Sequence, residues 1–139
     1  VGVSEYNLEI MNANAGKGNA LRWLAEQLTE RFHCKTVVLS ERRTYAAEDN
    51  RICGKILTGS TFCTAPQYRI DIVDRVGGGD SFGAGLIYSL LNSKTTQQAI
   101  DFAVAASALK HSVEGDFNRV SVAEVEKLSG GDGNGRVQR

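Results

Sequence analysis

A glycine-rich turn between a strand pattern and a helix pattern constrains this chain more than any other feature. Residues 73–85 read V-D-R-V-G-G-G-D-S-F-G-A-G. Polar and apolar residues alternate over residues 68–73, which is typical of a strand, and apolar residues recur at helical intervals over residues 82–91. The sequence therefore predicts a strand, a glycine turn and a helix in direct succession.

The composition of this turn favours the binding of an anion. Gly77, Gly78 and Gly79 have no Cβ atoms, so several of their backbone N–H groups can point at one anion. The positive end of the following helix adds to this attraction, and it also stabilises the carboxylate of Asp80 in the first helical turn. A carboxylate base beside a group of N–H donors indicates phosphoryl transfer.

The turn D-R-V-G-G-G-D-S-F-G-A-G resembles the second signature of the PfkB, or ribokinase-like, sugar kinases. Together with F-A-V-A-A-S-A-L-K-H, G-D-F-N and G-G-D-G-N-G-R-V-Q-R, it is most similar to the 2-keto-3-deoxygluconate kinase branch, over residues 35–139. The resemblance implies a ribokinase-like three-layer α/β/α fold. Residues 1–139 would be one domain, the carboxy-terminal nucleotide-binding half with a mostly parallel sheet, without the amino-terminal sugar-binding half and lid. Residues 129–139 would form a flexible tail.

The resemblance also implies an activity, which is ATP-dependent phosphorylation of the primary hydroxyl of 2-keto-3-deoxygluconate or a related sugar acid. Asp80 would accept the hydroxyl proton, and the N–H groups of Gly77, Gly78 and Gly79 would stabilise the transferring phosphoryl group. ATP and Mg²⁺ are the implied cofactors, and relatives add K⁺. The residues carried over for the nucleotide are Ala106, His111, Gly115 and Asn118.

Three further assignments each have an alternative. Ser40 and Arg42 follow the apolar run 35–39, at a strand end where ligands of α/β sheets gather, so they are candidates for binding the nucleotide phosphates. The alternative is a solvent-facing charged loop. Asp74 is implied as a monovalent-cation ligand, although an ion pair to Arg75 or a strand-end turn explains it equally well. Glu5 is implied as an outer-shell Mg²⁺ ligand, against the alternative of a solvated glutamate at a helix start.

Composition argues against several other classes of protein. Sixteen basic and sixteen acidic residues among 139 give no net charge, so nothing in the balance favours nucleic acid or a membrane surface. Three cysteines without a C-x-x-C pair indicate reduced thiols in a cytoplasmic protein. The resemblance, not the composition, implies a small-molecule sugar acid and ATP as partners, and a homo-oligomer stays open.

Sequence patterns also place the other elements. An apolar stripe on residues 20–32 predicts a packing helix, and residues 44–64 predict hairpins or an irregular excursion. The capping boxes Thr95-Thr-Gln-Gln98 and Ser121-Val-Ala-Glu124 each predict a helix start.

Two other functions compete for the same residues. Gly79-Asp-Ser-Phe-Gly83 also spells the G-x-S-x-G nucleophile elbow, with Ser81 as nucleophile and Asp101 and His111 as partners. Asp101 and His111 are ten residues apart on one predicted helix, which is too far for them to hydrogen-bond to each other, and this argues against a hydrolase. The other alternative is a truncated, catalytically silent fragment that binds nucleotide.

Overall fold

Four helices and four strands make up the part of the chain that the computed structural model describes, residues 17–46 and 49–131. The elements in chain order are α1 (Lys17–Phe32), β1 (Thr36–Ala46), β2 (Asp49–Thr58), β3 (Thr61–Thr64), β4 (Tyr68–Ile70), α2 (Gly78–Leu91), α3 (Thr96–Lys110) and α4 (Val122–Gly130). Among these described residues, no helix combines the length and apolar character needed to cross a membrane.

The sheet is antiparallel at every described pairing. β1 pairs with β2, while β3 and β4 pair with two successive stretches of the other edge of β2. The expected mostly parallel sheet is therefore wrong for the described strands. The physical reason is that tight connections such as Gly59-Ser60 join neighbouring strands, and short connections of this kind can form only antiparallel pairs.

Helices cover both faces of this sheet, so the described residues form three layers, α/β/α. On one face, Ala25 of α1 packs with Val37 and Leu57 in a small cluster. On the other face, Ile52 and Ile56 of β2 join the main core, which α3 supplies with residues such as Ile100 and Val104. Phe32 was expected in the packing stripe of α1 but is 61% exposed, because it ends the helix beyond this small cluster.

Both predicted capping boxes are confirmed. Thr95 accepts from the N–H of Gln98 at the start of α3, and Ser121 does the same for Glu124 at the start of α4. In each box the side-chain oxygen of Gln98 or Glu124 in turn accepts a hydrogen bond from the backbone N–H of the cap residue. α4 extends to Gly130, so residues 129 and 130 of the expected tail are helical, and residues 132–139 lie outside the described residues.

β1 is longer than the predicted strand 35–39. It continues to Ala46, so Ser40 and Arg42 lie within a strand, opposite Gly54 and Ile52, and the expected loop at these positions is wrong. Directly opposed residues point to the same face of a sheet. Both side chains therefore belong to the face covered by α2 and α3, at the end of the sheet that carries the start of β2.

The sheet and the helices approach each other closely at Gly54. A Cβ atom built there would lie 2.6 Å from Cγ2 of Val104, 3.0 Å from Cδ1 of Ile100 and 3.2 Å from Cε2 of Phe82. Val104 has a β-branched side chain with restricted rotamers, so it cannot easily move aside. α3 can pack this close to the sheet because Gly54 has no side chain.

We expect Gly54→Ala to lower the free energy of unfolding by about 1–3 kcal/mol, the usual cost of overpacking a close-packed core. Gly83→Ala is the matched control, since a Cβ atom in that helical position meets no atom within 4 Å. Urea unfolding followed by circular dichroism measures both variants. Equal midpoints for the two variants would contradict the packing argument.

Candidate active site

The predicted glycine turn forms the start of α2, and its N–H groups are free. Gly77 is the N-cap residue with φ of 76°, a left-handed conformation that favours glycine, and it has no side-chain cap. The first helical hydrogen bond runs from the N–H of Ser81 to the carbonyl of Gly77, at 2.9 Å. No residue in the described part of the chain accepts from the N–H groups of residues 77–80. Four donors therefore remain available to a ligand.

Asp80 is also free. Its side chain is exposed, and within residues 17–46 and 49–131 it makes no hydrogen bond or ion pair. Gly79 beside it is exposed too, with open space where a Cβ atom would lie. The carboxylate and the free N–H groups thus lie together on an open surface at one helix end.

Asp74 holds the turn in place. Its carboxylate accepts from the N–H of Val76 at 3.0 Å and from the N–H of Gly115 at 2.9 Å. These two backbone hydrogen bonds hold the pKa of Asp74 below its ordinary value, because they stabilise the charged form. The hydrogen bond to Val76 agrees with the alternative interpretation of Asp74 as part of a strand-end turn. The hydrogen bond to Gly115 also joins this turn to the loop that follows α3.

The C-terminal end of α3 packs against the glycine turn and hydrogen-bonds to it. Ser107 Oγ donates to the carbonyl of Gly78 at 2.8 Å, and the carbonyl of His111 accepts from the N–H groups of Val73 and Asp74. The imidazole of His111 lies so close to Gly78 that a Cβ atom there would collide with it. Gly78 is therefore fixed by contact on one side and by a hydrogen bond on the other.

His111 is buried, with 3% of its surface exposed. Its Nδ1 lies 2.7 Å from the carbonyl of Ser107, and since a carbonyl only accepts, Nδ1 carries the proton. Burial lowers the pKa of His111, and the charges of Arg42, Lys110 and Arg75 act in the same direction. The structure thus brings the predicted residues Arg42 and His111 near each other, behind the turn.

The other residues predicted for the nucleotide have separate places. Gly115 lies in the loop after α3, where its N–H binds Asp74. Asn118 Nδ2 donates to Ser81 Oγ at 3.0 Å, and its Oδ1 accepts from the N–H of Val120. Ala106 is 4% exposed and faces Gly85 of α2, so it contributes to helix packing. Ser40 is exposed on β1.

The implied metal ligand Glu5 lies outside the described residues. Among those that are described, no group of three His, Cys, Asp or Glu side chains could hold a metal ion. A Mg²⁺ ion carried by nucleotide phosphates needs only one or two protein carboxylates, so this finding concerns a metal cage made by the protein alone.

The hydrolase alternative is wrong. Ser81 is 5% exposed and its hydroxyl accepts from Asn118. Asp101 binds Gln97, and His111 binds the carbonyl of Ser107. Ten residues of helix separate Asp101 from His111 by about 15 Å, so the three side chains form no triad.

Sequence reasoning missed two residues behind the turn, Ser107 and Lys110. The signal was their spacing, because residues 107, 110 and 111 are the polar residues that follow Asp101 in this helix and its C-cap, and residues 110 and 111 lie three and four positions after residue 107, on one face. Polar residues on a buried face need partners. Here the partners belong to the turn and the loop after α3.

Solved structures identify the class of fold as that of the ribokinase-like kinases. The crystal structure of 2-dehydro-3-deoxygluconokinase from Thermotoga maritima matches with a TM-score of 0.77 and 39% identity, over 81% of this chain and 34% of that one. A PfkB family carbohydrate kinase from Listeria grayi matches with a TM-score of 0.73 and 24% identity, over 84% of this chain and 40% of that one, and supports the fold alone.

The chain belongs to the pfkB family of carbohydrate kinases, whose sequence profile matches residues 7–122. A 2-dehydro-3-deoxygalactonokinase from Haloferax volcanii is 33% identical over 110 residues, which are 78% of this chain and 32% of that protein. The chain therefore spans about a third of the length of these relatives.

The burial of His111 predicts a pH-dependent stability. The unfolded chain binds a proton on this histidine near the ordinary pKa of 6.5, whereas the lowered pKa keeps the folded form neutral to a lower pH. The free energy of unfolding should therefore fall as the pH drops below about 6.5, by at most about 1.4 kcal/mol per pH unit from this group.

Urea unfolding of the wild type and of His111→Gln between pH 7 and pH 5 measures this dependence. We expect the wild type to lose stability more steeply than the variant. The exposed His33 is present in both proteins, so it cancels in the difference. Parallel pH profiles would contradict the assignment.

Proposed function

We propose that this chain is the carboxy-terminal nucleotide-binding portion of a kinase that transfers the γ-phosphoryl group of ATP to the primary hydroxyl of a 2-keto-3-deoxy sugar acid. The observation that carries the proposal is the free carboxylate of Asp80 beside four free N–H groups at the start of α2. Family membership supplies the reaction type, because the pfkB family consists of carbohydrate kinases.

In this mechanism Asp80 accepts the proton of the sugar hydroxyl. The hydroxyl oxygen forms a bond to the γ-phosphorus, the bond from that phosphorus to the bridging oxygen breaks, and ADP leaves with the electron pair. The N–H groups of Gly77, Gly78 and Gly79 donate to phosphoryl oxygens as charge spreads over them. When bound, Mg²⁺ would neutralise part of the charge on the nucleotide phosphates.

The helix end beside Asp80 does not conflict with its role as a base. A positive helix end favours the charged carboxylate and so reduces its basicity. In a loose transition state for phosphoryl transfer, positioning and electrostatic stabilisation matter more than base strength. A modest base held at a fixed place is therefore sufficient.

The proposed substrate class follows from the two named relatives. One is a 2-dehydro-3-deoxygluconokinase and the other a 2-dehydro-3-deoxygalactonokinase, and their substrates differ in the configuration of one carbon. Both sugar acids are therefore the substrates to test. A cytoplasmic location belongs to the same proposal, in keeping with the three free cysteines, Cys34, Cys53 and Cys63.

The second candidate function is nucleotide binding without turnover. It is favoured by one observation, that the chain spans about a third of the length of its relatives. Binding measured by calorimetry with ATP and Mg²⁺, and transfer measured with each sugar acid, separate the two functions. Binding with no transfer favours the silent fragment, and a chain that neither binds nor transfers overturns both.

Asp80→Asn tests the catalytic assignment. We expect kcat to fall by about 10²- to 10⁴-fold, the usual contribution of a general base, while the affinity for ATP stays within a few-fold. Coupled detection of ADP gives kcat, and calorimetry gives the affinity. The matched control is Asp71→Asn, which makes the same change at another exposed aspartate nearby and should leave kcat unaltered. Wild-type turnover by Asp80→Asn would refute the assignment.

A further inference from the structure

Lys110 is a buried lysine that the proposed mechanism does not use. It is the last residue of α3, and none of its surface is exposed. Its Nζ donates to the carbonyl of Gly115 at 2.6 Å and to the carbonyl of Val113 at 3.3 Å. No carboxylate in the described part of the chain lies within ion-pair distance of it. A buried charge is costly, so its retention here calls for a physical reason.

The side chain of Lys110 passes directly beneath the glycine turn. A Cβ atom built on Gly77 would lie 3.2 Å from Cε of Lys110 and 3.0 Å from the carbonyl oxygen of Asp116. The lysine stem therefore packs against the turn while its head binds the loop after α3. One side chain joins the two segments that also meet through Asp74 and Gly115.

The surroundings of Nζ are those of a cation site. Backbone carbonyls are the groups that replace the hydration shell of K⁺ in proteins, and two of them already bind Nζ. The C-terminal end of α3 adds a negative partial charge. The positive charge of Lys110 also contributes to holding the pKa of Asp74 low.

We propose that the ammonium group of Lys110 is the built-in cation of this turn and positions Gly77 against the loop 113–116. It takes the place that the resemblance to K⁺-binding relatives assigned to a monovalent cation beside Asp74. That position does not suit K⁺, because an ammonium group already binds the carbonyls of Val113 and Gly115 and would repel a second cation at the same oxygens. Lys110 is a positioning residue, and the chain needs no exchangeable monovalent cation.

The first test uses the wild-type chain without any ligand, so it does not depend on kinase activity. We expect the same urea midpoint in KCl, NaCl and choline chloride at equal ionic strength. A midpoint that rises specifically with K⁺ would overturn the proposal, because it would reveal an exchangeable cation. If the variants described below do not fold, this comparison of salts is sufficient by itself to test the proposal.

Two variants test the ammonium group itself. Lys110→Met keeps the length of the stem and removes the charge, and it should lower the urea midpoint by about 1 M, with no specific response to K⁺. Lys110→Ala vacates the space, and K⁺ should raise its midpoint more than choline does. An unchanged midpoint in Lys110→Met, or equal responses of the two variants to K⁺, would overturn the proposal. Lys94→Ala is the control, since Lys94 is a lysine paired with Glu126 far from the turn.

The affinity for ATP supplies a readout that rests on the proposed function. Lys110→Met should bind ATP several-fold more weakly than the wild type at a urea concentration well below both midpoints. If the wild type binds no ATP, the proposed function fails while the cation tests still stand. If Lys110→Met binds ATP as tightly as the wild type does, Lys110 does not position the turn.

Discussion

The N–H groups in the first turn of α2 have no partners among the described residues, and the backbone around them is held in place by side chains outside that turn. A helix start normally satisfies part of its N–H groups with a side-chain cap, and Gly77 provides none. The carboxylate of Asp74, the hydroxyl of Ser107 and the stem of Lys110 hold the surrounding backbone instead. The N–H groups at the start of α2 are therefore left unpaired by the part of the chain that the structure describes, while the backbone around them is held in place.

This support is made of polar groups, and most of them are buried. Ser107, Lys110 and His111 are each at most 3% exposed, yet each has a hydrogen-bond partner in the turn, in the loop after α3 or in α3 itself. A buried polar group without a partner costs roughly 1–3 kcal/mol, so the loss of one of these side chains leaves its backbone partner to bear that cost. The same hydrogen bonds therefore stabilise the end of α3 and hold the glycine turn in its conformation.

The sequence predicted the helices better than the sheet. Capping boxes and apolar spacing are local signals, and they placed the starts of α3 and α4 correctly. The continuation of β1 through Ser40-Glu-Arg-Arg43 was missed because four polar residues look like a loop. They form a strand because the pairing with β2 continues through them, and Glu41 also forms an ion pair across the strands with Lys55 of β2. The carboxylate and glycines of the site were predictable from the motif, whereas the role of Lys110 depends on contacts between segments distant from the motif.

The hydrogen bond from the N–H of Gly115 to Asp74 has a consequence for motion. It joins the loop after α3 to the glycine turn, and Lys110 makes a second connection between them. These contacts restrict the motion of one segment relative to the other. A ligand that binds one segment therefore also restricts the other. The conformational entropy of both segments is then lost in a single binding step.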